Sequence, residues 1–515
     1  MVARYLLGVD IGTNGSKGVL TDRDGTVVAH HAREHRVMTP RPGWCEQDAD
    51  EAWWGGLRQI IGQLLAQSGV DARDVAGVGI SGMCPNVLPV DEEGRPLYSG
   101  MLYSDNRASR QIQEITAQMG EATIHRLAGR GLSPDSVGAK VAWLRENEPQ
   151  VFARMRMVHT VTSYVVWKLT GVSAIDYTVA PRFSPMFDVQ ALGWDREGCA
   201  AVGITAEQLP TAQWATAVAG QVTERAAGET GLAAGTPVIT GTCDGTAEAV
   251  SVGTVERGEA SLLYGSTMAL IVFAAEGVSH PRLFVSPSPI PGIYKASLAM
   301  SASGALTRWF RDQFGQMELA AQNAIGIDAY QLLGDQADTV PPGSEGLLVL
   351  PYFAGERAPI YDSRARGIII GLTLSHTRRH VYRALLEGVG FGLRHGMEDL
   401  AEAGVEITRI VATGGGTKSR VWTQIIGDVI GRDQEIVASP YGAPLGDAFL
   451  AGLGIGLFHD VSPLRGSWVQ ATGVVRHDPA RTRVYDAYFK VYRGLYGKLR
   501  ESMHALAELS QVAVD

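Results

Sequence analysis

A chain of 515 residues is too long for one hydrophobic core, so two large domains with a cleft between them are expected. With 45% apolar and 19% charged residues it reads as an ordinary globular enzyme, and a net charge of −9 excludes a broad nucleic-acid surface, which needs clustered Lys and Arg. Four cysteines form neither a CxxC pair nor a zinc-site spacing and are expected reduced. No apolar run reaches membrane-spanning length, and the opening MVARYLLGVDIG lacks a leader pattern, so the expectation is a cytoplasmic protein with no membrane partner.

In chain order, Tyr5 to Asp10 reads as a buried strand, Ile11 to Ser16 as a glycine-rich turn, Lys17 to Thr21 as a second strand and Thr26 to His30 as a third. Asp48 to Gln67 has helical spacing, with Trp53, Leu57, Ile60, Ile61, Leu64 and Leu65 on one side. Val75 to Ser81 is a strand, and Val87 to Val90 with the turn Asp91-Glu92-Glu93-Gly94 reads as a hairpin. Helices are expected over Arg107 to Met119, Ala139 to Asn147 and near Val158 to Leu169. A short strand, Val238 to Thr240, runs into Gly241-Thr242-Cys243-Asp244-Gly245. Glu259 to Tyr264, Gly265-Ser266-Thr267 and Met268 to Phe273 then repeat the opening strand, turn and strand, which suggests two similar β-rich cores. Past Ser301 the chain reads as mainly helical, interrupted at Leu347 to Phe353 and Arg409 to Ala412. The longest helices are expected over His376 to Ala401 and Arg481 to Leu509. The domain boundary is expected just after Asp244, giving units 1–250 and 251–515.

Four segments carry chemistry. In Asp10-Ile11-Gly12-Thr13-Asn14-Gly15-Ser16-Lys17, a carboxylate at a strand end can hold hydrated Mg²⁺ while glycine amides and hydroxyls face phosphate oxygens; a plain hairpin with a capping Asp uses the same residues. It joins strand to strand, so it is not a dinucleotide fingerprint, and it lacks a Walker pattern. Asp244 stands between a strand and a helical run, suited either to cap that helix or to accept a proton from an alcohol during phosphoryl transfer. Gly265-Ser266-Thr267 can hold phosphate or simply turn a hairpin. Gly414-Gly415-Gly416-Thr417-Lys418-Ser419 precedes a helix and can let a flat base lie on the backbone, or be a mobile loop. His376 and His380 have a metal-pair spacing without a third ligand, and no metal is assigned to them.

Together these segments describe an actin-like ATPase layout, and the chain resembles the FGGY family of carbohydrate kinases over nearly its whole length. The most specific match is Gly367-Ile368-Ile369-Ile370-Gly371-Leu372, then seven residues, His380-Val381 and Ala384-Leu385-Leu386-Glu387. Gly355 to Pro359 is also similar, and Lys140, Trp143, Leu144 and Glu146 match part of the family's earlier signature, from which Asp135 and Val137 depart. Pro42 to Asp48, Trp53-Trp54 and Gly415 to Trp422 are most similar to the family's xylulokinases.

The resemblance implies an α/β fold of two ribonuclease-H-like domains with a central cleft, and the cofactors ATP and Mg²⁺. It implies Asp244 as catalytic base, Asp10 and Asp244 at the metal, and Gly12, Thr13, Lys17, Gly265, Ser266, Thr267, Gly414, Gly415, Gly416 and Ser419 around the nucleotide. Met83, Cys84, Asp105, Arg107, Asp176, Asp244 and Gly245 are expected at the sugar. Many xylulokinases have Gln-Met-His where this chain has Gly82-Met83-Cys84, and Asn where it has Gly245. The resemblance keeps D-xylulose as the first expectation, while these departures open ribulose, other ketopentoses and polyols as alternatives; a non-enzymatic actin-like ATPase is the distant one. A homodimer is left open.

Overall fold

The computed structural model describes residues 4–510 apart from 279 and 281. Its N-terminal half is built on β1 (Tyr5–Ile11), β2 (Gly15–Thr21), β3 (Val27–Glu34), β4 (Val75–Gly82), β5 (Val218–Gln221), β6 (Pro237–Ile239) and β7 (Thr242–Cys243), with helices α1 (Gly55–Ser68), α2 (Val161–Thr170) and α3 (Asp244–Ser251). The sheet order is β5-β6-β4-β1-β2-β3, and β7 pairs with β4. Leu7, Val9 and Ile11 of β1 are buried among Leu57, Ile60, Ile61 and Leu64 of α1, the side that helical spacing anticipates. A π-helical turn, Ala49–Trp54, leads into α1, and Asp48 caps it by accepting from the Glu51 amide.

The C-terminal half carries β8 (Glu259–Tyr264), β9 (Met268–Ala274), β10 (Phe284–Pro287), β11 (Tyr294–Met300), β12 (Arg409–Thr413), β13 (Gln434–Ile436) and β14 (Gly473–Val475), in the order β10-β11-β9-β8-β12-β13-β14. Around it lie α4 (Gly304–Phe314), α5 (Ala329–Asp338), α6 (Arg378–Glu402), α7 (Arg420–Ile430), α8 (Ala443–Gly454) and α9 (Pro479–Leu509). The expected repeat is present as topology. β1 pairs antiparallel with β2 and parallel with β4, just as β8 pairs antiparallel with β9 and parallel with β12. The fold is thus the mixed α/β arrangement of two ribonuclease-H-like, actin-like units.

Three features depart from the sequence expectations. The turn after Val90 forms, but Leu88–Val90 takes Met157–His159 as its antiparallel partner. Pro96, on the expected return strand, has no amide to continue a ladder and makes only an isolated bridge to Val90. Met157–His159 lies where a helix is expected to begin, and α2 starts beyond it. Strands β13 and β14 interrupt a stretch read as mainly helical, and β10 and β11 fall between Phe273 and Ser301, where no element is predicted.

Helix α8 comes from the C-terminal half yet packs on the N-terminal sheet. Leu445, Ala448, Phe449, Leu450 and Ala451 share a buried cluster with Leu6, Val19, Ile239 and Val250. Two glycines permit this: a Cβ on Gly8 would stand 1.9 Å from the Pro444 carbonyl oxygen, and one on Gly79 2.0 Å from that of Asp447. The chain passes between the halves after α3, after β13 and again before β14. Val252, Val437 and Val469 from these three crossings meet Val411 of β12 in one small apolar cluster.

Candidate active site

The first glycine hairpin closes tightly, with the Gly12 amide donating to the Gly15 carbonyl at 3.0 Å. Gln47 Nε2 donates to the Thr13 carbonyl oxygen at 2.7 Å. Antiparallel register sets Lys17 opposite Asp10. The second hairpin repeats the device, with the Gly265 amide donating to the Thr267 carbonyl at 3.0 Å and α4 starting on its back, where the Gly304 amide donates to Gly265 at 3.1 Å.

A cavity of about 760 Å³ opens in the C-terminal half. It is lined by Gly265, Ser266, Gly415, Gly416 and Ser419, all anticipated from sequence, together with Gly304, Thr307, Tyr330, Gln331 and Gly334 from α4 and α5, which were not. Its volume suits a nucleotide. Thr267 and Gly414 stand behind this lining. Gly414, at φ 97°, lets β12 turn where a Cβ would meet the Tyr264 carbonyl oxygen at 2.7 Å. The Ser419 hydroxyl caps α7 by accepting from the Trp422 amide at 3.3 Å.

Where the halves meet, four acidic groups converge. Asp10 ends β1, Asp244 begins α3, Glu248 lies one turn further on, and Asp447 projects from α8. Ser81 Oγ lies 2.7 Å from Asp447 Oδ2 and 3.2 Å from Asp10 Oδ1. Burial pushes the Asp10 carboxyl up to about 6, against the pull of Lys17 and Ser81. Burial, then Asp10 and Cys243, hold Asp244 well above the carboxylate range, and burial with Asp10 does the same to Asp447. Asp447 Oδ1 is buried without a hydrogen-bond partner. Carboxylates that raise one another's proton affinity around an orphaned oxygen are a donor set that fits a hard divalent cation such as Mg²⁺. Asp447 was missed in the sequence, although a lone carboxylate in the apolar run Ala443 to Gly454 was a signal for it.

Asp244 is half-buried at the N-terminus of α3, and the Gly245 amide donates to its Oδ1 at 2.7 Å, leaving Oδ2 to accept a proton. Cys84 and Cys243 lie beside it. Asp176 is buried, accepts from Thr242 Oγ1 at 2.8 Å and is pushed up to about 7 by burial and then by Cys243. From the other half comes Lys295, missed in the sequence. It is only 4% exposed, and its ammonium has no hydrogen bond or ion pair among the described residues; the Phe284 ring centroid lies 5.8 Å away. Arg182 stacks on the same ring at 3.7 Å while donating to Asp135 at 2.8 Å.

Three expected sugar contacts are enclosed instead. Met83 is wholly buried in the N-terminal core. Arg107 and Asp105 have no exposed side-chain surface. Arg107 donates to both Asp105 oxygens and to Glu46, and stacks on Trp44 at 3.7 Å. With Asp105 also accepting from the Cys45 amide, the pair's polar groups are engaged within the protein, and the aromatic cage explains why it sits there.

Residues 5–251 match the N-terminal domain, and residues 262–455 the C-terminal domain, of the FGGY family of carbohydrate kinases. The crystal structure of xylulose kinase from Rhodospirillum rubrum superposes with a TM-score of 0.91 at 32% identity, covering 97% of this chain and 100% of that one. A xylulose kinase of Lactococcus lactis subsp. lactis is 27% identical, covering 98% of this chain and 99% of the relative. A gluconokinase of Bacillus licheniformis is 29% identical, covering 87% of each.

Proposed function

Because the chain belongs to the FGGY family of carbohydrate kinases, we propose that it transfers the γ-phosphoryl group of ATP to a hydroxyl of D-xylulose, giving D-xylulose 5-phosphate and ADP. The observation that carries this reading is Asp244, a carboxylate at the head of a helix between the two glycine hairpins and beside Cys84 and Asp176. Residues 251–515 hold the nucleotide through Gly265, Ser266, Gly415, Gly416 and Ser419, and residues 1–250 hold the acceptor and the base. Asp244 Oδ2 takes the proton of the acceptor hydroxyl as its oxygen bonds to γ-phosphorus and the bond from phosphorus to the β-phosphate oxygen breaks. The hairpin turns at Thr13 and Ser266, with Lys17, orient the phosphates. Asp10, with Asp244 beside it, would hold Mg²⁺, which neutralises charge on the phosphate chain when bound. Closure of the halves excludes water that would otherwise take the phosphoryl group.

A second reading is favoured by Lys295. A buried ammonium that makes no hydrogen bond or ion pair with the described residues gains from an anionic ligand, which suits a sugar acid such as D-gluconate. The gluconokinase of Bacillus licheniformis, at 29%, is as similar in sequence as the xylulose kinase of Lactococcus lactis subsp. lactis, at 27%. An ADP-release assay across D-xylulose, D- and L-ribulose, D-gluconate and glycerol tests both readings. D-xylulose is expected to give the highest kcat/KM. D-gluconate in first place selects the second reading, and no stimulation by any acceptor overturns both.

A further inference from the structure

No cysteine spacing in the sequence pairs Cys84 with Cys243, yet the fold brings them together. Cys84 lies just past the end of β4, and β7 runs parallel beside that end with Cys243 opposite Gly82. The two Sγ atoms and an Asp244 carboxylate oxygen all lie within 4.8 Å of one another. Thr246 Oγ1 lies 3.0 Å from the Cys243 sulfur. Cys84 is half-buried, whereas Cys243 is buried.

We propose that Cys84, Cys243 and Asp244 form a binding site for a soft divalent cation of the zinc class, and that filling it withdraws Asp244 from proton acceptance. Zinc bonds sulfur at about 2.3 Å and carboxylate oxygen at about 2.0–2.2 Å, so donors sharing one ion stand within about 4.6 Å of each other. The trio needs only a small adjustment to reach that. Two thiolates and a carboxylate carry three negative charges, more than Lys295 and Arg182 nearby supply between them. The fourth tetrahedral position opens to the cleft, for water or an acceptor hydroxyl. Mg²⁺ does not compete for this site, because it requires six oxygen-type ligands and binds thiolate poorly. The neighbouring set of Asp10 and Asp447, all oxygen, is its complement. One active site thus holds a hard and a soft cation position that share Asp244.

The test titrates Zn²⁺ into EDTA-washed full-length protein against a chromophoric zinc chelator, with Mg²⁺ in excess. Only the inhibitory half of the proposal rests on the kinase reading, because this titration reads binding without turnover. One Zn²⁺ per chain is expected. Cys84→Ser and Cys243→Ser are each expected to weaken binding by at least about tenfold, since losing a ligand costs no less than losing a group that supports one. Cys199→Ser, at a thiol outside the trio, is expected to leave it unchanged. Circular dichroism checks folding; should Cys243→Ser not fold, Cys84→Ser and the thiolate-to-Cd²⁺ absorption band, halved in that variant, carry the decision. Binding that is substoichiometric, or unchanged in the serine variants, overturns the site. Turnover that persists with Zn²⁺ bound, rather than falling and returning on chelation, overturns the inhibitory role.

Discussion

Asp10 is buried at the end of β1, and its carboxyl is held near 6 rather than the ordinary 3.8 by burial, with Glu248 and Cys243 adding and Lys17 and Ser81 subtracting. Replacing it with Asn keeps the shape and removes the charge. At about 1.36 kcal/mol per pH unit, that gap makes the ionised carboxylate a liability of about 3 kcal/mol in metal-free protein. The sign follows from the order of ionisation. Below pH 3.8 both folded and unfolded chains carry the proton and the residue is neutral in its effect. As pH rises from 3.8 the unfolded chain releases its proton first, so stability falls until the folded chain ionises near pH 6, and the full cost persists above that. Asp10→Asn is therefore expected to match the parent at pH 4 and to exceed it by about 3 kcal/mol at pH 7, read by urea unfolding in EDTA followed by circular dichroism. Its Mg²⁺-dependent turnover is expected to collapse. A variant less stable than the parent at pH 7, or one whose gain is the same at every pH, would refute the reasoning.

Asp244→Asn is nearly isosteric and retains an acceptor for the Gly245 amide, so it is expected to bind ATP normally while kcat falls by about 10²–10⁴-fold; equilibrium binding and steady-state kinetics separate the two, and near-normal turnover removes Asp244 as base. Lys295→Met is expected to cost about 2–5 kcal/mol in kcat/KM for D-gluconate and little for D-xylulose, whereas an equal loss on both denies Lys295 a role in selecting a sugar acid. Gly79→Ala places a methyl group 2.0 Å from the Asp447 carbonyl oxygen, so the protein is expected to lose about 1–3 kcal/mol, seen as a lower thermal midpoint. An unchanged midpoint contradicts the seating of α8 on β4.

Much of the scaffold was legible because its signals are local. The hairpin of β1 and β2, and its counterpart of β8 and β9, declare themselves by a strand, a glycine turn and a strand. Helix α6 shows a long apolar periodicity. By contrast, β10 and β11 lie around Pro287, Pro289 and Pro291, which break any local strand pattern, and their order comes from β9 pairing with β11 and β11 with β10. Asp447 matters because it meets Ser81, 366 residues away, across a sheet face that two glycines keep bare. Asp105 and Arg107 were assigned to the sugar from motif position, but Trp44, Tyr98 and Trp143 surround the guanidinium and draw the pair inward. Lys295 escaped notice because a single Lys in a strand gives no hint that its ammonium will lack a partner.

The valine cluster at the three crossings has a mechanical consequence. One covalent link between two bodies permits twisting, bending and sliding alike; three links converging on Val252, Val437, Val469 and Val411 act as a pivot. Sliding would pull all three segments off a shared dry contact, whereas turning about it disturbs few of those contacts. Rotation about this rear contact is therefore the motion the three crossings oppose least, and a fixed angular step would produce the largest travel at the lips of the cleft. Lys295 belongs to one half and Asp244 to the other, so such a rotation would set whether ammonium and carboxylate reach the same acceptor.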